Sequence, residues 1–538
     1  MYTVAADRIA KLARAGLASR LRTGKRGIEK ESLRIGRDGA IAQTAHPTAW
    51  GSALTHPYIT TDYSEALTEF ITPPFDRTEE VTRFLHEIHQ FTHQTLTNEE
   101  LLWCTSMPCA LKDDKTLPIA RYGTSNIGRM KHVYRVGLDY RYGRRMQAIA
   151  GVHFNYSLPL DFWPGYRQVL GSDAPIREFM DTHYFGLIRN FRRLGWLVPL
   201  LFGNSPVVCS SFLGGRTSRL KSFDNCSHYL PHATSLRMSD IGYKNKNQAA
   251  LQVSYDSLEA YITSLSHATA TPYPEYEVIG LYDGQERIQL NTNVLQLENE
   301  FYSYMRPKRT IRAGERPTPA LRERGVEYVE MRALDIDSFS PTGVSEEHLL
   351  FLEAFLIFCL IAESPCITAS EQWAIEYNEL TVALRGREPD LLLIKNGSKI
   401  PMADWARDIL NGLAPICEIL DDGLAKPRYT TALHHQMTML SSPQELPSAR
   451  VLRELANTGL NFFDYTLARA SAHESYFRER PLRSGLREYF SGLAATSHAE
   501  QLAMEANDRV DFDSFLRQYF APDDPASVSL GEAPSQPL

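Results

Sequence analysis

The sequence predicts an α+β fold in which a strand-rich catalytic half is followed by a helical half that braces it. Three observations carry this expectation. From Gly27 to about Gly343, short alternating runs are punctuated by Gly, Pro and Asn turns. From about Ser345 the apolar spacing becomes helical, over Glu346–Ala362, Ser370–Arg385, Met402–Leu420 and Ser448–Asn457. The 43% hydrophobic content of the 538 residues is enough for a large core. The expected organisation is an N-terminal helix over 1–26, a strand-rich catalytic region over 27–344, a helical region over 345–520 packed on the sheet, and a disordered Pro/Ser-rich tail over 521–538.

Ile9, Leu12, Leu17 and Leu21 fall near helical spacing, so the N-terminal segment reads as an amphipathic docking helix. A net charge of −7 argues against nucleic acid as a partner, because phosphate-tracking proteins carry a basic excess. Nothing approaches the roughly 20 apolar residues that span a bilayer. The longest candidate, Leu349–Ala362, is interrupted by Glu353 and reads as a buried helix. Seven cysteines, an odd number without a CxxC pair, suit a reduced, cytoplasmic protein. A disulfide stays open, with Cys104 and Cys109 close enough in sequence to form one.

Four runs carry the chemistry. In Gly27–Ile35, Glu29 and Glu31 share one strand face about 7 Å apart, where two acids repel unless cations lie between them. In Asp62–Thr72, Glu69 adds a third acid beside Phe70 and Ile71. In Met146–Ser157, read as one strand, Gln147, Gly151, His153 and Asn155 form a polar face opposite an apolar one. In Val326–Asp335, Glu330 and Arg332 share a face and pair a cation ligand with a phosphate-binding guanidinium, as phosphoryl transfer from Mg-ATP requires. Each run alone is also explained by a solvated strand face. A fifth segment, Ser235–Tyr243, reads as an irregular loop bearing Arg237, whose planar fork suits a substrate carboxylate. No Gly-rich nucleotide loop stands in a strand–helix context, and no Gly-x-Ser-x-Gly occurs, so Rossmann, P-loop and simple serine-hydrolase readings lack support.

These runs, with Ser52–His56, Thr60–Asp62, Tyr122–Asn126, Leu201–Gly203, Ser210–Leu213, Ser235–Arg237, Arg306–Arg309 and Glu330–Ser340, resemble the proteobacterial branch of glutamate–cysteine ligases over about Gly27–Ile361. The resemblance implies a glutamine-synthetase-like antiparallel sheet curved into a funnel. It also implies ATP-dependent joining of the L-glutamate γ-carboxylate to the L-cysteine amine, through γ-glutamyl phosphate, in the first step of glutathione biosynthesis. By motif position, Glu29, Glu31, Asp62, Glu69, His153 and Glu330 resemble the set holding two or three Mg²⁺ ions, with Mn²⁺ as a substitute because imidazole is an uncommon magnesium ligand. Arg332 resembles the group stabilising the transferred phosphoryl, with Glu330 as its catalytic partner. Arg237 resembles the group holding the glutamate α-carboxylate, and Gln147 a substrate contact. Tyr134, Leu138, Tyr243 and Tyr302 resemble the cysteine pocket. Feedback inhibition by glutathione is left open. The expected protein is a monomer with small-molecule partners only, namely ATP and the two amino acids. A ligase for a different acceptor amine and a non-catalytic nucleotide- or metal-binding relative are the competing readings.

Overall fold

Alternating polar and apolar residues build a central antiparallel sheet whose two faces face different tasks. The computed structural model describes residues 1–216, 218–242, 251–312 and 314–521. Tyr243 and almost all of the expected tail lie outside these residues. The sheet has seven strands: β1 (Lys25–Gly36), β2 (Ile59–Thr61), β3 (Leu67–Ile71), β4 (Glu100–Leu102), β5 (Val152–Ser157), β6 (Met305–Lys308) and β7 (Tyr328–Leu334). Their order is β6-β7-β5-β1-β3-β2, with β4 pairing the far end of β1, and every neighbouring pair is antiparallel.

Register decides which side chains meet. Glu31 stands opposite Glu69, Glu29 opposite His153, and Glu330 opposite both Asn155 and Arg306. The intervening residues Ile28, Phe70, Phe154 and Met331 point the other way into the core and are fully buried. Helices α1 (Thr78–Thr95) and α3 (Ile176–Leu194) pack on that side. Helix α2 (Asn126–Tyr142) lies between them in sequence and starts at Ser125, whose hydroxyl accepts the Gly128 N–H.

The helical half is organised around α4 (Glu346–Ile361), apolar on every side from Leu349 to Ile361 except at Glu353. A Ser345–His348 capping box sets its start. It packs against α1, α3, α5 (Met402–Asp421), α6 (Arg428–Ser441) and the N-terminal helix Tyr2–Arg14. Among the described residues, no helix is long and apolar enough to cross a membrane.

Two expectations need correction. The run Met146–Ser157 is a strand only from Val152; Arg145–Ala148, which includes Gln147, forms a 3₁₀ turn closed by Gln147 N–H to Arg144 O and Ile149 N–H to Met146 O. Met and Ala lack the β-branched bulk that favours a pleated surface, so short-range bonds win there and Gln147 leaves the face of His153. Nor are all seven cysteines free. Cys109 and Cys209, one hundred residues apart in sequence, are joined as a disulfide with Cα atoms 5.4 Å apart, whereas Cys104 is buried and unpaired. The sequence left any disulfide open, because Cys209 returns to Cys109 only through tertiary packing.

Candidate active site

The polar face of the sheet opens into a cavity of about 160 Å³. Its floor holds Glu29, Glu31, Asp62, Glu69, His153 and Glu330; its walls bring Lys131, Arg135, Arg306 and Arg332. Like-charge crowding dominates the floor. Glu29, Glu31, His153 and Glu330 are at most 4% exposed. One ligand atom from each of Glu29, Glu69 and His153 lies within 4.8 Å of the other two. Burial, then the neighbouring Asp62, pushes the Glu31 carboxyl up to about 8. Burial, with Glu29, Asp62 and Glu31 around it, raises Glu69 well above the usual carboxylate range.

Glu330 lies in the opposite environment. Burial alone would raise it, but Lys308 at 3.6 Å, Arg332 at 3.1 Å, His153 at 3.7 Å and Arg306 at 4.0 Å outweigh burial and hold it well below that range. One end of the floor therefore carries fixed cations that outweigh the burial of an ionised acid, and the other carries acids whose burial and mutual repulsion outweigh the nearby Arg237 and Arg332. His153 is an orienting link: Nδ1 is 3.0 Å from Glu29 Oε2, and Nε2 is 3.7 Å from Glu31 Oε1. Asn155 donates to Glu29 Oε1 at 2.9 Å. Burial depresses the imidazole, and Arg332 depresses it further.

The carboxylate and imidazole donors fit divalent cations. Crowded acids whose ionised forms are disfavoured are what added positive charge would relieve, and oxygen donors suit Mg²⁺.

Arg237 sits behind the floor rather than among the residues lining the cavity. Its Nη2 donates to the Arg332 carbonyl at 3.0 Å, and its Nη1 is 3.7 Å from Asp335. Asp335 is itself fixed by Ser205, Ser235 and the Asn204 N–H. Gly151 permits this approach, because a Cβ there would lie 2.0 Å from Arg237 Nη2. The Gly151 N–H donates to Glu31 at 2.6 Å, so Arg237, Gly151 and Glu31 form one packed unit.

Of the expected cysteine pocket, Tyr134 lines the cavity. Leu138, one turn further along α2, is buried in the core. The Tyr302 hydroxyl reaches the sulfur of Met238, the residue after Arg237, at 3.5 Å. These two do not line the cavity, and neither does Gln147.

Sequence reasoning missed Lys131 and Arg135, which occupy the same α2 face as Met130 and Tyr134, an i, i+1, i+4, i+5 stripe. That stripe was the available signal. It also gave no role to Arg306 and Lys308, although alternation on β6 sets both towards Glu330.

The model of the family described as glutamate-cysteine ligase matches residues 9–382. A glutamate–cysteine ligase from Alcanivorax borkumensis is 46% identical over 520 residues, covering 96% of this chain and 99% of that protein. Another, from Hahella chejuensis, is 47% identical over 92% of this chain and 95% of its own length. The crystal structure of glutamate–cysteine ligase from Francisella tularensis in complex with AMP is 35% identical, has a TM-score of 0.87, and covers 92% of this chain and 97% of that one. A bifunctional glutathione synthetase from Pasteurella multocida, 24% identical with a TM-score of 0.68 over 90% of this chain and 57% of that one, shares the fold. With its acid-lined, arginine-walled cavity and these relatives along nearly its whole length, the chain belongs to the glutamate–cysteine ligase family.

Proposed function

We propose that the cavity uses ATP to join the γ-carboxylate of L-glutamate to the amine of L-cysteine. The observation that carries this reading is the juxtaposition of a crowded, buried acid cluster, Glu29, Glu31 and Glu69, with Glu330 and its surrounding Arg306, Lys308 and Arg332. A free carboxylate is a poor electrophile and must be activated. A γ-carboxylate oxygen attacks the terminal phosphorus of ATP, the bond to ADP breaks, and γ-glutamyl phosphate forms. The cysteine nitrogen then attacks the acyl carbon, inorganic phosphate leaves, and the nitrogen gives up its proton.

In this reading Glu29, Glu31, Asp62, Glu69, His153 and Glu330 hold two or three Mg²⁺ ions. When bound, these ions neutralise phosphate charge and align the terminal phosphoryl for transfer. The presence of imidazole makes Mn²⁺ a competent substitute. Arg332, fixed by Glu330, supplies preorganised positive charge to the phosphoryl oxygens as they move. Lys131, which burial and the neighbouring Arg135 pull down to about 8, adds adjustable charge from the opposite wall. Arg237 keeps the glutamate α-carboxylate role by its motif position, although its guanidinium stands behind the floor, held by Asp335 and the Arg332 carbonyl. Tyr134 on the cavity wall, with Leu138 and Tyr302 outside the lining, is assigned to the amine-acceptor side. The antiparallel sheet forms a glutamine-synthetase-like funnel, and the protein works as a cytoplasmic monomer. The two-faced sheet, with one face sealed by helices and the other open, supports the funnel.

Purified protein given ATP, Mg²⁺ and glutamate is expected to release ADP on addition of cysteine, more slowly with 2-aminobutyrate, and least with bulkier amines. A small apolar pocket separates a thiol from a methyl by only about 1–3 kcal/mol. No ADP release with any amine, or a better acceptor than cysteine, would overturn the reading.

A further inference from the structure

The acid floor ends beneath a wall contributed from nearly two hundred residues further along the chain. Helix Phe512–Tyr519 follows an anchor in which the side chain of Asp508 takes the Asn126 N–H and the Val510 carbonyl takes Asn126 Nδ2 at 2.8 Å. Arg287 donates to Asp513 at 2.7 Å, and the Arg129 guanidinium lies 4.3 Å above the Phe512 ring. Phe512 and Leu516 bury themselves against Met130, Val133 and Leu290. These contacts account for the first two turns of the helix. Tyr519, the last residue of the helix, packs at the edge of the same cluster and also lines the cavity, as do Lys131, Glu298 and Pro317.

This end differs chemically from the floor. Met130, Leu297, Pro317 and Tyr519 make it largely apolar. The carboxylate in the same lining, Glu298, is 5% exposed and spends Oε1 on Arg316 at 2.9 Å and Thr318 at 2.6 Å. Its other oxygen, Oε2, is buried without a hydrogen-bond partner among the described residues. A buried, idle carboxylate oxygen is costly unless a ligand donor reaches it. An aromatic wall beside a carboxylate acceptor, continuous with a phosphate-binding floor, is complementary to the flat base and hydroxyl-bearing sugar of a nucleoside.

We propose that the C-terminal helix is a strap completing the nucleotide end of the cavity, with Tyr519 as the wall against which the nucleoside of ATP packs and Glu298 Oε2 as the acceptor for a ribose hydroxyl. The proposal rests on the ATP-dependent reading. It makes Tyr519 a substrate-contacting residue, although the phosphate chemistry is carried by strands that end at Leu334.

The test uses the full-length chain with Tyr519→Ala and Tyr519→Phe. Losing one ring–base contact costs roughly 5- to 150-fold in affinity, so Tyr519→Ala should raise KM for ATP and Kd for AMP by that factor. KM for glutamate and for cysteine should move less than about twofold, the pattern of a lost nucleotide contact, and Tyr519→Phe should restore most of the nucleotide affinity. Asp513→Ala, which loosens the strap and leaves the ring in place, should give a smaller rise in the same two constants. An unchanged Kd for AMP in Tyr519→Ala overturns the strap, and so does a rise in cysteine KM instead of ATP KM. The AMP titration needs no turnover, so it reads the strap even if the ligation itself fails to appear.

Discussion

Strand β1 carries ionisable residues on both faces, and the two faces bury charge in opposite ways. On the core side, Arg26 meets Glu353 at 3.0 Å, with the Tyr429 hydroxyl 2.8 Å from the same carboxylate. Arg34 meets Glu100 at 2.7 Å on that side. Lys30, between them, is pushed down to about 7 by burial, so it adds little fixed charge. On the cavity side, Glu29 and Glu31 face Glu69 and His153, and burial raises Glu31 and Glu69. Charge matched within the chain ties β1 to helix α4 and to strand β4. Charge left unmatched within the chain is a demand for ligand.

The largest expected effect tests the matched face. Glu353→Gln leaves the fully buried Arg26 without its anion and should lower unfolding stability by about 3–5 kcal/mol, read by denaturant titration. Turnover per folded molecule should be kept, since Glu353 is on the far side of the sheet. A loss of turnover without a loss of stability would erase the distinction between the faces.

The unmatched face should respond in reverse. Glu31→Gln keeps an acceptor for the Gly151 N–H and should lower kcat by about 10²–10³-fold, as loss of preorganised charge at a reacting centre does. In the absence of divalent cations its midpoint of unfolding should equal or exceed that of the unmodified protein, because a disfavoured anion has been removed. The sign follows from the raised carboxyl. With the folded value near 8 above the unfolded value near 4.5, Glu31 contributes stability in full only below the unfolded value and loses it as pH rises through about 8. A thermal melt in chelator that shows clear destabilisation of Glu31→Gln at pH 8.5 would refute this account of the face.

The smallest effect probes how closely the two faces are joined. Gly151→Ala drives a methyl into the Arg237 guanidinium and should raise glutamate KM by about tenfold, with ATP KM less affected. Steady-state kinetics with each substrate varied in turn gives the answer, and an unchanged glutamate KM would remove Arg237 from the carboxylate-binding role.

Much of the site was legible because a strand's two-residue period assigns faces without tertiary information. Glu29 with Glu31 and Glu330 with Arg332 fall together on the cavity side as alternation required. The same rule failed at Gln147, where a 3₁₀ turn replaced the pleat, and the i, i+4 stripe of Lys131 and Arg135 on α2 passed unnoticed behind Tyr134. Leu138 and Tyr302 are not among the residues lining the cavity, because residue type cannot say how deep a helix or loop sits.

By itself the sequence determined the faces of β1, β3 and β7, the buried character of α4 and the acid-plus-arginine chemistry of the cavity, since periodicity and charge are local properties. Only the tertiary structure decided which acids stand opposite one another, that Lys308 and Arg306 converge on Glu330, that Cys109 joins Cys209, and that Tyr519 returns to line the cavity. Each of these is a meeting of residues far apart in the chain, and such meetings are set by strand register and packing, which no local pattern encodes.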